Sequence, residues 1–137
     1  MTGSEFERQF CQKLKNEGWW ALNIPRSRTG AQPFDVIAIK GHCIMAVDCK
    51  VMSSKSLMFP LKRVEVNQWL SFKSLRDKSV HTLTGLIVWH EQTKSVFFLD
   101  YWKLRQAVQQ GKKSIDVHDG KLSYRLDKVE LLRRIHE

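Results

Sequence analysis

The residues able to do chemistry concentrate in one segment, FDVIAIKGHCIMAVDCK, residues 34–50. It reads as two strands, 34–39 and 43–51, joined at Gly41-His42. Gly41 suits the first central position of a two-residue type II′ turn. That turn sets Asp35 directly opposite Asp48, with Cβ atoms about 4.5–5.5 Å apart. Lys50 lies two residues beyond Asp48 and points to the same face. The neighbours on that face are Ile37, Ile39, Ile44 and Ala46; the other face carries Val36, Ala38, Met45, Val47 and Val51. Both faces are apolar, as in a sheet covered on both sides. Two carboxylates pressed together there repel unless something compensates. A divalent cation is the economical compensation, and hard oxygen ligands suit Mg²⁺. Lys50 is then placed to contact water or a phosphate. The structural alternative is an Asp–Lys–Asp ion cluster at a sheet edge. The register rests on the turn, since a one-residue slip sends the two aspartates to opposite faces.

The surrounding elements must hold this hairpin. Residues 4–17 read as a helix with the apolar stripe Phe6, Phe10, Cys11 and Leu14. Residues 19–24 read as a strand, 25–33 as a loop, 52–60 as a polar loop, and 63–77 as a second helix. Residues 84–90 and 95–100 form another hairpin, 101–110 a helix, and 126–135 a last helix. The order α-β-β-β-α-β-β-α predicts an α/β fold, a central mixed sheet flanked by helices. The five tryptophans are expected in the core or at an interface.

The chain has 137 residues, enough for one domain, expected to span 1–137. The formal net charge is +9, which suggests a polyanionic partner, nucleic acid or a membrane surface. The charge is spread, and residues 51–80 are the most one-sided. Three cysteines without a CxxC pair argue against a disulfide framework or zinc site. The five histidines show no ligand spacing. With no signal-like or membrane-spanning run, a cytoplasmic location is expected, with no membrane partner.

D-x12-D-x-K across a hairpin, after a helix bearing Glu, resembles the PD-(D/E)xK nuclease superfamily. GSEFERQFCQKLKNEGWWALNIPRS (3–27) and VDCKV (47–51) resemble archaeal-type Holliday junction resolvases; MFPLKRVEVNQWLSF (58–72) is similar to RecU-type resolvases. The resemblance covers roughly residues 3–90. It implies a restriction-endonuclease-like core and an endonuclease that resolves four-way DNA junctions by paired symmetric cuts, serving recombination and repair. It implies Glu7, Asp35 and Asp48 as metal-binding carboxylates, together with the Cys49 backbone carbonyl. The metal would be Mg²⁺, with Mn²⁺ as a substitute. Lys50 would be the catalytic lysine and Gln68 a site-facing glutamine.

Three departures or alternatives stand beside these assignments. The second acid is Asp48 where these resolvases usually have Glu. The loop 25–33 is too short for a RecU-type stalk. Ser4-x-x-Glu7 is also a capping box, which would occupy Glu7 and leave Glu5 as another ligand candidate. For DNA contact the candidates are Arg26, Ser27, Arg28, Thr29, Lys55, Lys62, Arg63, Lys73 and Arg76. Paired cuts need two sites, so a homodimer is expected. The competing readings are a nuclease acting on linear or branched duplex, and a non-catalytic DNA-binding protein on the same scaffold.

Overall fold

The computed structural model describes residues 1–26, 32–79 and 82–118, and the backbone of 123–125. The expected helix over 126–135 lies outside the described residues, as do Ser27, Arg28 and Thr29.

Helix α1 spans Gly3–Asn16 and buries Phe6, Phe10, Cys11 and Leu14. Its cap differs from the Ser4–Glu7 expectation. Thr2 is the N-cap: its Oγ1 accepts the Glu5 N–H at 3.1 Å, and its own N–H donates to the Glu5 carboxylate at 3.0 Å. The box therefore sits two residues earlier. It uses the exposed Glu5 and leaves Glu7 free to face inward.

Strands β1 (Trp20–Asn23), β2 (Val36–Lys40) and β3 (Cys43–Met52) form an antiparallel run. Gly41 takes φ +60, the left-handed value a primed turn requires. The ladder runs from Lys40↔Cys43 to Val36↔Val47, the register the turn predicts. It stops one pair short of the aspartates. The Asp35 N–H donates to the Val47 carbonyl at 3.0 Å, one residue off that register. Asp35 and Asp48 are thus not a ladder pair. The offset resembles a β-bulge, which re-aims a side chain at a strand end.

After β3 the chain forms β4 (Met58–Pro60) and a 3₁₀ turn (Leu61–Arg63), where sequence reading expects a polar loop. Helix α2 consequently starts later, at Val66, and runs to Lys78. It carries the chain across so that β5 (Thr82–His90) lies parallel to β3. Strand β6 (Ser95–Asp100) pairs antiparallel with β5, and α3 (Tyr101–Gln109) follows without a loop. Strand β7 (Ser114–Asp116) pairs with β4, and β8 (Ser123–Arg125) adds to β6. The main sheet has the order β1-β2-β3-β5-β6-β8. The expected mixed sheet is present, and three short strands escape sequence reading.

Each face of the sheet has its own core. Helix α1 covers Val36, Ala38, Met45, Val47 and Cys49. The opposite core joins Phe34, Ala46, Leu86, Val88 and Phe72 with Tyr101 and Leu104 of α3. Cover on this second face is incomplete. Trp20 (58% exposed), Leu22, Ile39 and Ile44 stand in solvent across β1, β2 and the start of β3. No helix among the described residues is long and apolar enough to cross a membrane.

Candidate active site

A pocket of about 230 Å³ opens where α1, the end of the β2–β3 hairpin and the first turn of α2 meet. Its lining includes Glu7, Asp35, Asp48, Cys49, Lys50 and Gln68, so it gathers all five side chains proposed from sequence for catalysis, together with Cys49. Arg26, Gln32, Glu65, Asn67 and Gly3 complete the wall.

Asp35 is held at both oxygens. Its Oδ2 accepts the Cys49 N–H at 2.9 Å, and its Oδ1 accepts from Gln32 Nε2 at 3.1 Å. The off-register turn at the strand end makes the first bond possible. It also replaces part of the expected repulsion with a hydrogen bond to backbone.

Asp48 is in the opposite situation. It is 2% exposed, and its Oδ2 is buried with no hydrogen-bond partner. Burial pushes its carboxyl up to about 8; the Asp35 charge adds to this, and Lys50 works against it. Burial thus favours the protonated carboxyl, a conflict that a bound cation would remove. Glu7 is also buried and raised, first by desolvation and then by Asp35. Arg26 offsets this: its guanidinium lies 3.6 Å from the Glu7 carboxylate, from an otherwise exposed side chain.

The donor set suits a hard divalent cation. Two carboxylates meet where β2 begins beside β3, one oxygen is orphaned, and Mg²⁺ takes one or two carboxylates and fills the rest with water. Among the described residues no three Asp, Glu, His or Cys side chains converge into a ready-made metal shell. Glu7 is engaged with Arg26, so it would join such a site only by releasing that contact.

Gln68 Oε1 accepts the Glu65 N–H at 3.0 Å, which caps the start of α2. One end of the amide is thus structural, while the residue lines the pocket. The basic candidates divide. Arg26 lines the pocket, while Lys55 and Lys62 are exposed away from it. Lys73 pairs with Asp77 at 2.8 Å. Arg63 donates to the Val51 carbonyl and lies over the Phe59 ring. Arg76 is largely buried and bonds Asp100 at 2.8 Å, which ties α2 to the N-cap of α3. These last two guanidiniums are committed to the fold.

Sequence reasoning missed Gln32 and the Arg26–Glu7 pair. Both depend on where Arg26 and Gln32 come to lie beside Glu7 and Asp35, for which no periodicity exists to read.

The architecture defines a class. It is shared with a solved structure, Hjc of Archaeoglobus fulgidus, described as a Holliday junction resolvase from an archaeal hyperthermophile. The TM-score is 0.55 over 74% of this chain and 78% of that one, at 16% identity, which is a likeness of fold. The chain belongs to the archaeal Holliday junction resolvase (Hjc) family, whose model matches residues 1–130. Among curated relatives, the crossover junction endodeoxyribonuclease Hje of Saccharolobus solfataricus is 31% identical over 74 residues. That match spans 53% of each chain. Hje of Sulfolobus acidocaldarius is 37% identical over 49 residues, 35% of each. The chain thus spans about half the length of the first of these relatives and about a third of the second.

Proposed function

We propose that this chain is a Mg²⁺-dependent endonuclease that resolves four-way DNA junctions as a homodimer. One observation carries the reading: the buried, unpartnered Asp48 oxygen beside Asp35 and Lys50 in an open, polar pocket. Such an arrangement is unfavourable for a fold and useful for chemistry on a phosphate. The family membership and the endodeoxyribonuclease names of the relatives agree with it.

Asp35 and Asp48, with the Cys49 carbonyl and Glu7, would hold Mg²⁺ or Mn²⁺. A bound cation supplies Lewis acidity to a phosphodiester and acidifies water. Asp35 keeps its orientation through the Cys49 N–H and Gln32, so one donor is fixed before any ligand arrives. Lys50 of β3 lines the same pocket, where its ammonium would offset negative charge as the phosphorus gains a fifth oxygen. Arg26 is exposed, and among the described residues its ion pair is with Glu7. On losing that partner it is free to clamp a phosphate oxygen. The amide nitrogen of Gln68 donates to no described residue, which leaves it for water or phosphate.

Two cuts need two pockets, and the chain has one such carboxylate site among its described residues. The uncovered apolar strip Trp20, Leu22, Ile39 and Ile44 supports a second copy as the other half.

The test is cleavage of a synthetic four-way junction and of a linear duplex of matched sequence in Mg²⁺. Paired symmetric cuts in the junction alone are expected, and Asp35→Ala should lower the rate by at least about a hundredfold. Equal cutting of the linear duplex would refute junction specificity. Tight binding without cutting would mark a non-catalytic DNA-binding protein.

A further inference from the structure

The first turn of α2 has two sides. Glu65, Asn67 and Gln68 face the carboxylate pocket, whereas Val66 and Trp69 face a separate groove of about 640 Å³. The far wall of that groove carries Val108 from α3, then Lys112 and Lys113 from the turn that follows it; Lys62 closes the near side. Among the described residues no acidic side chain lines it. Its floor is apolar and unusually open, with Val66 75% exposed and Val108 49% exposed.

The groove is held by the backbone. The Leu61 N–H donates to the Lys113 carbonyl at 2.9 Å, and the Lys112 N–H to the Ala107 carbonyl at 3.0 Å. The β4–β7 ladder continues the same contact. Gly111 at φ +75 makes the turn that brings the two lysines back over the groove. Trp69 is braced edge-on against Tyr101 at 6.2 Å, so its ring is fixed in place.

We propose that this groove binds unpaired single-stranded DNA contiguous with the strand in the carboxylate pocket, with phosphates on Lys62, Lys112 and Lys113 and bases against Trp69, Val66 and Val108. The proposal rests on the nuclease reading above and adds a site to it. Three ammoniums that no carboxylate among the described residues pairs call for a polyanion. An apolar, aromatic floor calls for flat hydrophobic faces. A duplex supplies the phosphates but keeps its base faces stacked inside. An unpaired strand supplies both, and its bases stack on aromatic side chains without regard to sequence. The two sites share one helical turn, and an α-helix is only about 10 Å across. A strand leaving the pocket therefore meets the groove at once.

The experiment uses the full chain in chelator, so that nothing is cut. Anisotropy reads the binding of a fluorescent oligothymidylate of about eight nucleotides, beside a blunt duplex of about 20 base pairs. Lys112→Glu/Lys113→Glu should weaken the oligothymidylate about tenfold and the duplex by no more than about threefold. Lys112→Arg/Lys113→Arg should keep the binding, and Trp69→Phe should abolish the ligand-dependent quenching of tryptophan emission. The proposal is overturned if charge reversal changes oligothymidylate affinity less than about twofold. Equal loss of both DNAs overturns it too, since that marks a general basic surface. So does tighter binding of a peptide of alternating Glu and Leu, which would make the groove a protein site. A chain that binds the oligothymidylate this way yet cuts no junction supports the groove and refutes the nuclease reading. A chain that cuts junctions and ignores the oligothymidylate does the reverse.

Discussion

Asp48 shows how a single residue reveals a site. Its carboxyl is raised to about 8 by burial first and by Asp35 second, with Lys50 opposing. In an unfolded chain an aspartate ionises near ~3.9. The folded value lies above the unfolded one, so without a cation the fold loses stability as pH rises from about 4 to about 8, and is free of the penalty below that range. Asp48→Asn removes the ionisable group while keeping the shape. In chelator this variant should gain roughly 2–4 kcal/mol over the parent at pH 8 and almost nothing at pH 4, read by thermal or denaturant unfolding. Added Mg²⁺ should stabilise the parent and leave the variant unmoved. A variant less stable than the parent at pH 8 in chelator would mean that Asp48 serves the fold.

At the scale of elements, legibility followed local rules. Gly41 and the alternation around it fix the β2–β3 register, because a two-residue turn leaves the ladder no freedom. The end of the ladder was not legible. Whether Asp35 stays in register depends on the Cys49 N–H and Gln32, which no spacing encodes. Strands β4 and β7 are three residues each and pair across more than fifty positions, so neither carries a periodic signal of its own. The Thr2–Glu5 and Ser4–Glu7 boxes fit the sequence equally well, and only the trajectory of α1 separates them. Gly85 is a further element-scale constraint. It sits at φ +151 where β5 passes under the start of α3, and an added Cβ would lie 2.1 Å from the Leu99 carbonyl oxygen. Gly85→Ala should therefore cost on the order of 3 kcal/mol or prevent folding, measured by chemical denaturation. A neutral substitution would mean that β6 and α3 shift more easily than this packing allows.

For the whole molecule, the net +9 and the exposed apolar strip divide the work. In the proposed resolvase the charge would recruit the DNA, and the strip, which holds no charged residue, would take the second chain. Ile39→Glu places a carboxylate in the centre of that strip, opposite Trp20 on one side and Ile44 on the other. On the proposed homodimer reading it should shift sedimentation from dimer to monomer and replace paired cuts with single nicks, while leaving the fold intact because the position is already 41% exposed. A variant that remains dimeric would move the interface elsewhere.

The hairpin, the two aspartates and the lysine beside it, the apolar stripe of α1, and the alternation of helices and strands are written in the order of residues alone. Each is a local consequence of turn geometry or of hydrophobic period. Long-range packing sets the rest: Glu7 meets Arg26, Asp48 keeps an oxygen without a partner, Arg76 belongs to Asp100, and one turn of α2 separates a carboxylate pocket from a basic groove. Those facts join residues far apart in the chain, and their energies arise from burial and charge proximity, which exist only once the chain has closed on itself.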